Sequence, residues 1–264
     1  MPHKNNYEAQ LELIKGENVN VGTKSELKDF SVLLGGIVGV VLVFLISFNT
    51  VSTFFIDKMS TESQLRIESL FKSKEKIEIP EKYKQQIFLL ENIKQRIIEN
   101  DVSIQGKSQL NINVLKSKEI NAMIKPDGSI LFTTKLLDEN LSEEELAFVL
   151  AHEIGHYSNK DHLKSISKQI AYAIICAVAG LDSKVNSIAQ GVSEIEFLSH
   201  SREQEKEADL YANKMLIRIY GTNEGAKSFI KKLQNKENLP EFIHYFSTHP
   251  SWNERLELVE TSNK

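Results

Sequence analysis

Charge disappears from the chain between Asp29 and Asp57. Residues 30–56 read FSVLLGGIVGVVLVFLISFNTVSTFFI, and 32–48 are almost wholly apolar. A bilayer's hydrocarbon needs about 20 apolar helical residues, so the pattern predicts one uncleaved transmembrane helix. A buried core helix rarely needs so long an uncharged stretch. A cleaved signal peptide would have a shorter apolar region and a small-residue cleavage site, both missing here. Residues 1–29 are polar and mixed in charge, the pattern of a short flexible tail. Beyond the span, Leu65, Ile67 and Leu70, then Ile87, Leu90, Ile93 and Ile97, predict amphipathic helices broken near Pro80.

A different period follows. LNINVL at 110–115, INAMI at 120–124 and SILFT at 129–133 read as strands, the last two joined by the turn Pro126-Asp127-Gly128. From Ser142 the pattern is helical almost to the end. Ser142 and Glu145 form a capping box, with Leu141 and Leu146 at the positions of a hydrophobic staple. A second apolar stretch, 170–181, is too short to span a bilayer. It reads as a buried helix or as one dipping against the membrane face. The fold class expected is α+β, mostly helical with a small antiparallel or mixed sheet. The expected organisation is a tail at 1–29, the membrane helix at 30–56, an amphipathic linker at 57–79 and a catalytic domain at 80–264.

Composition adds exclusions. The 32 basic and 36 acidic residues give a net charge of -4, so no nucleic-acid partner is expected. Cys176 is the single cysteine, which removes intrachain disulfides and CxxC zinc sites. Inside an apolar stretch it reads as a small buried hydrophobe. Lysines flank the span on both sides, so the positive-inside rule does not orient it. Gly35 and Gly39 form a GxxxG pair that would suit a homo-oligomer.

The chemistry lies in His152-Glu153-Ile154-Gly155-His156, an HExxH pattern. One helical turn apart, His152 and His156 share a face and can bind one Zn²⁺. Glu153 stands beside the metal, placed to take a proton from bound water. A third protein ligand is needed, and the acidic helix at 201–209 offers candidates. Ala208, Ala212, Leu216 and Ile219 follow Glu205 at helical intervals and make an apolar stripe. A carboxylate on such a stripe is costly unless paired or bound to metal, so Glu205 is the best third ligand. Asp209, one turn on, suits the orientation of a metal-bound histidine. The competing reading is a buried salt bridge from Glu205 or Asp209 to Arg202. Glu203 and Glu207 read as surface charges. His162, His200 and His244 have no spacing that singles them out and read as surface residues.

HEIGH at 152–156 followed by SREQEKEADLYA at 201–212 resembles the M48 family of zinc metallopeptidases. NAMIKPDGSI at 121–130 resembles the family's lead-in strand, with Asp127 in place of a glycine. Thr248-His249-Pro250 with Arg255 resembles its C-terminal element. The resemblance covers roughly residues 80–260. It implies a zincin-type domain with endopeptidase activity on protein or peptide substrates, one Zn²⁺ held by His152, His156 and Glu205, and Glu153 as base. It also implies oxyanion-stabilising roles for His249 and Arg255, or a latency role for His249; the sequence by itself equally fits a helix-entry residue at His249 and a salt-bridge partner at Arg255. Ser129, Ile130, Leu131, Phe132 and Thr133 would form an edge strand that binds extended substrate. Lipid would surround residues 30–56. By the same analogy the chain would sit in a bacterial inner membrane with its catalytic domain outside the cytoplasm, serving envelope quality control. A degenerate site on the same fold would instead make a membrane-anchored chaperone-like binding protein.

Overall fold

The structure is a computed structural model describing residues 24–72, 78–102, 104, 110–181, 184, 200–235, 249 and 252–261. The chain divides into two compact units, Met1–Ser47 and Phe48–Lys264. Helix α1 (Lys24–Asp57) runs through the division. Its Leu27–Asp57 part is long and apolar enough to cross a membrane, and it is exposed almost throughout, with Ile56 near its end buried. Its 34 residues extend about 50 Å at ~1.5 Å per residue, against a hydrocarbon thickness of about 30 Å.

The second unit is mostly helical with one small mixed sheet, the fold class expected. α2 (Thr61–Ser69) is capped by Ser60, whose side chain accepts from the Ser63 amide. A 3₁₀ turn at Glu81–Tyr83 leads into α3 (Lys84–Asn100), which buries Ile87, Leu90, Ile93 and Ile97. Strands β1 (Ile112–Leu115), β2 (Ala122–Ile124) and β3 (Ile130–Thr133) are ordered β1-β3-β2. β1 runs parallel to β3, with Ile112 opposite Ile130; β2 runs antiparallel, with Ala122 opposite Phe132. Gly128 supplies the positive φ (80°) of the turn, and Asp127 accepts from the Ser129 amide. This topology corrects one expectation. β3 is the central strand, hydrogen-bonded on both edges and buried throughout, so residues 129–133 have no free edge for a substrate strand. Among the described residues the free edges belong to β1 and β2, and β2 packs against the next long helix.

A short α4 (Thr134–Leu137) precedes α5 (Glu143–Ser158). The Ser142–Glu145 capping box is formed in both directions, and α5 is buried from Glu145 to Tyr157. α6 (Asp161–Val178), α7 (Arg202–Tyr220), α8 (Glu224–Gln234) and α9 (Trp252–Thr261) complete the unit. α5 and α7 make the closest helix pair. A Cβ added at Gly155 would stand 3.1 Å from the Ala208 Cα and 3.2 Å from its carbonyl oxygen. Glycine in the fourth place of HEIGH is what lets α7 lie against the histidine helix.

The joint after α1 differs from the amphipathic expectation. Leu70 is 80% exposed, whereas Gln64 and Glu68 are fully buried. The reason is polar. Tyr157 Oη donates to Glu68 (2.9 Å), Gln64 donates to it (2.6 Å), and the His162 ring lies 3.2 Å from it. Buried polar groups at the end of α5 need an acceptor, and α2 presents one. His162 is therefore fully buried and stacked on Tyr157, not the surface residue its spacing implied. Lys160, at a left-handed φ of 57°, donates to the carbonyls of Ile56, Asp57 and Met59 at 2.9–3.1 Å. A cation there neutralises the negative end of α1's dipole.

Replacing Glu68 by Ala strands the Tyr157 hydroxyl and the His162 ring together. The expected loss is about 2–4 kcal/mol of stability, read by urea denaturation of the full chain in detergent. Tyr157→Phe, which removes only one donor, should cost clearly less.

Candidate metal centre

α5 and α7 bring three polar groups to one buried corner. The Nε2 atoms of His152 and His156 are 3.1 Å apart. Glu205 places Oε1 at 3.3 Å from His156 Nε2 and Oε2 at 3.5 Å from His152 Nε2. His249 adds a fourth atom, Nδ1, at 3.3 Å from His152 Nε2 and 3.1 Å from Glu205 Oε1. All four side chains are buried. Residues 236–248 and 250–251 around His249 lie outside the described residues, as do His244 and the tail at 1–23.

Both histidines are oriented by carboxylates. His152 Nδ1 donates to Asp209 and His156 Nδ1 to Asp161, each at 2.9 Å. With those protons committed, the two Nε2 atoms present lone pairs to each other, so a cation, either a proton or a metal ion, must lie between them. The spacing fits a metal: a tetrahedron with arms of about 2.0–2.1 Å has edges near 3.3–3.4 Å. Charge balance points the same way. Glu153, Asp161, Glu205 and Asp209 are all 0% exposed, and the buried guanidinium among them is that of Arg255. Glu153 carries neither carboxylate oxygen in a hydrogen bond; its closest ionic neighbour is His249 Nε2 at 3.7 Å. A buried carboxylate without a donor is expensive and marks a place where water or substrate belongs.

Arg255 grips Asp209 with Nε (2.6 Å) and Nη2 (2.7 Å) and reaches Glu205 with Nη1 (3.1 Å). Arg202, the example partner of the salt-bridge reading, is exposed and pairs with Glu254; the buried salt bridge is made by Arg255 instead. Burial works against the Glu205 and Asp209 charges. The facing cations outweigh it, holding Glu205 well below the usual carboxylate range and Asp209 below its own. Burial likewise disfavours a charged His156, but its bonds to Asp161 and Glu205 push the ring up to about 10. His152 is raised against burial and Arg255 by Asp209 and Glu205.

Two residues of the corner escaped the sequence reading. Asp161 opens α6 after a tight turn, outside any periodic pattern. His200 stacks on His156 at 3.7 Å between ring centres and 11° between planes; burial and the neighbouring imidazole hold it well below its ordinary value. Neither carries a spacing signal, because each is brought in by a helix start.

Two packed helices, one with HExxH and the other with a glutamate between its histidines, define a zincin-type metallopeptidase site. Residues 89–262 match peptidase family M48, and the chain belongs to that family. It is similar to the mitochondrial metalloendopeptidase OMA1 of Homo sapiens, 31% identical over 184 residues, covering 62% of this chain and 34% of that protein. The Bos taurus protein of that name is 29% identical over 182 residues (62% and 35%), and the Arabidopsis thaliana one 29% over 153 (57% and 31%). The chain spans about a third of the length of these curated relatives.

The raised His156 has a readable sign. In the metal-free chain its charge contributes stability that is complete below the ordinary 6.5 and lost as pH rises through about 10. Metal-free protein should therefore lose thermal stability between pH 7 and 10. Zn²⁺ uptake at pH 7 should release protons, seen by calorimetry in buffers of different ionisation enthalpy. Gly155→Ala, by wedging α5 from α7, should weaken Zn²⁺ binding by about 10-fold or more.

Proposed function

We propose that this chain is a membrane-anchored zinc endopeptidase, with His152, His156 and Glu205 as the metal ligands. The observation that carries the reading is the buried His/His/Glu corner with the unpaired Glu153 carboxylate beside it. When bound there, Zn²⁺ would polarise the scissile carbonyl and acidify a water. Glu153 takes the proton of the attacking water and delivers it to the leaving amine. Asp209 and Asp161 fix the ring orientation of the two histidines. Arg255, held by Asp209 and Glu205, positions those carboxylates instead of reaching toward the developing oxyanion. An extended substrate would add to β2, the strand with a free edge beside α5.

A latent state is favoured by one specific contact. His249 Nδ1 occupies the fourth corner, the position a catalytic zinc keeps open for water and substrate. In this reading the described form is closed, and displacement of His249 opens it. The anchor supports action on unfolded or damaged membrane and envelope proteins. In a bacterial host the catalytic unit would face away from the cytoplasm, which protease accessibility in intact spheroplasts checks.

Glu153→Gln should retain one Zn²⁺ per chain and lose cleavage of an unfolded protein by about 10²–10⁴-fold. Equal cleavage by both proteins would remove Glu153 from the mechanism, and a zinc-free wild type would favour the binding-protein alternative. His249→Ala should raise cleavage above wild type if His249 is a cap; a fall would make it part of the machinery.

A further inference from the structure

α6 changes character halfway along. Its first turns bury Asp161, His162, Leu163, Ser165 and Ile166. Its second half exposes Ile170 (48%), Tyr172 (55%), Ile174 (42%) and Val178 (87%), and Leu181 just beyond is 50% exposed. Ile170, Ile174, Val178 and Leu181 share one face, while Tyr172 lies on the other side. The sequence has no charged residue between Lys168 and Asp182. A helix apolar all round belongs in a protein core or in lipid, and in this half only Ala171 is buried against protein. The expectation that Cys176 is buried fails with it, since its side chain is only half-buried.

The contacts of α6 say what surrounds it. Lys160 caps the carbonyls of Ile56, Asp57 and Met59. Lys164 pairs with Asp57 at 2.9 Å. Leu163 and Ile166 pack with Ile56, and Ser167 Oγ meets Ser52 Oγ at 3.3 Å. As numbers rise along α6 they fall along α1, so α6 runs antiparallel to the Phe48–Asp57 end of the apolar helix. From Ser167 to Val178 it continues for about 16 Å at ~1.5 Å per residue, roughly half a hydrocarbon core. Lys160, Lys164 and Lys168 all precede the apolar run, where headgroups would lie.

We infer that the second half of α6, from about Gln169 to Val178, is inserted in the bilayer, its exposed apolar side chains covered by lipid acyl chains. This rests on the reading of α1 as a membrane helix. The half-span would enter the leaflet nearest the catalytic unit, and the first residue of α6, Asp161, is the hydrogen-bond partner of His156.

The native Cys176 is the natural probe. A nitroxide is attached to it in the full chain, reconstituted in phosphatidylcholine–phosphatidylglycerol liposomes. Its collisions with oxygen and with water-soluble chromium oxalate are then measured. Val178→Cys in a Cys176→Ser background repeats the measurement at the most exposed position. Val43→Cys in that background reports on the anchor, and Glu203→Cys on the water-facing surface. The expected oxygen-to-chromium ratio at positions 176 and 178 is about tenfold above that at position 203, because a charged chelate is excluded from hydrocarbon. Free access of chromium oxalate overturns the inference. So does shielding from both reagents, which would mean that protein, either another copy or another part of this chain, covers the face. If position 43 is itself open to chromium oxalate, the anchor reading fails and takes this one with it. If position 43 is lipid-exposed and 176 is not, only the inference about α6 falls.

Discussion

Four carboxylates buried around two imidazoles impose a balance that the surrounding structure has to satisfy. Glu153, Asp161, Glu205 and Asp209 come from the middle of α5, the start of α6 and the first turns of α7. Isolated in a low-dielectric interior, such a group would be prohibitive. Arg255 offsets part of it from α9. The rest falls to protons on the histidines or to a divalent ion, and the two are alternatives. The same geometry that raises the affinity of His152 and His156 for protons groups four atoms that could hold a metal ion. Each bound ion then displaces the protons that stabilise the empty site.

That balance dictates close packing. Glu205 reaches the histidines only because α7 lies nearly backbone to backbone on α5 at Gly155 and Ala208. A second close approach joins α5 to α8, where a Cβ on Gly225 would stand 2.6 Å from the Glu144 backbone. The helices thus meet at small residues and are fixed at their starts by capping boxes, Ser142–Glu145 and Ser201–Gln204. The sheet, with β3 locked between two partners, braces α5 from its other side and leaves β2 at the border.

How much of this could be read from the chain depends on the range of the forces involved. Periodicity found α3, α5, α7 and the three strands, because each buries a regular face. The stripe of Ala208, Ala212 and Leu216 singled out Glu205, since a carboxylate on an apolar face asks for a reason. Strand order was not legible. β3 was expected at an edge from the family resemblance alone; its local sequence carries no trace of β1, which arrives from before β2 and pairs with it. Asp161, His162 and His200 were missed for a related reason: each becomes important through tertiary contact and has no pattern of its own. The polar side of α2 was also misjudged. Glu68 is buried not by hydrophobicity but by polar partners, Tyr157 at the end of α5 and His162 at the start of α6.

Lys160 joins two parts of the molecule that a biochemist would be tempted to separate. Its ammonium holds the last carbonyls of α1, and the next residue, Asp161, steers His156. A soluble fragment cut at residue 58 would discard two of those three carbonyls and leave a cation on a left-handed residue without its seat. The loosened turn is the one that sets the angle of a metal-binding ring. In the proposed membrane-anchored form the end of α1 would thus be part of the metal corner's scaffolding, and truncation there would leave a differently supported site.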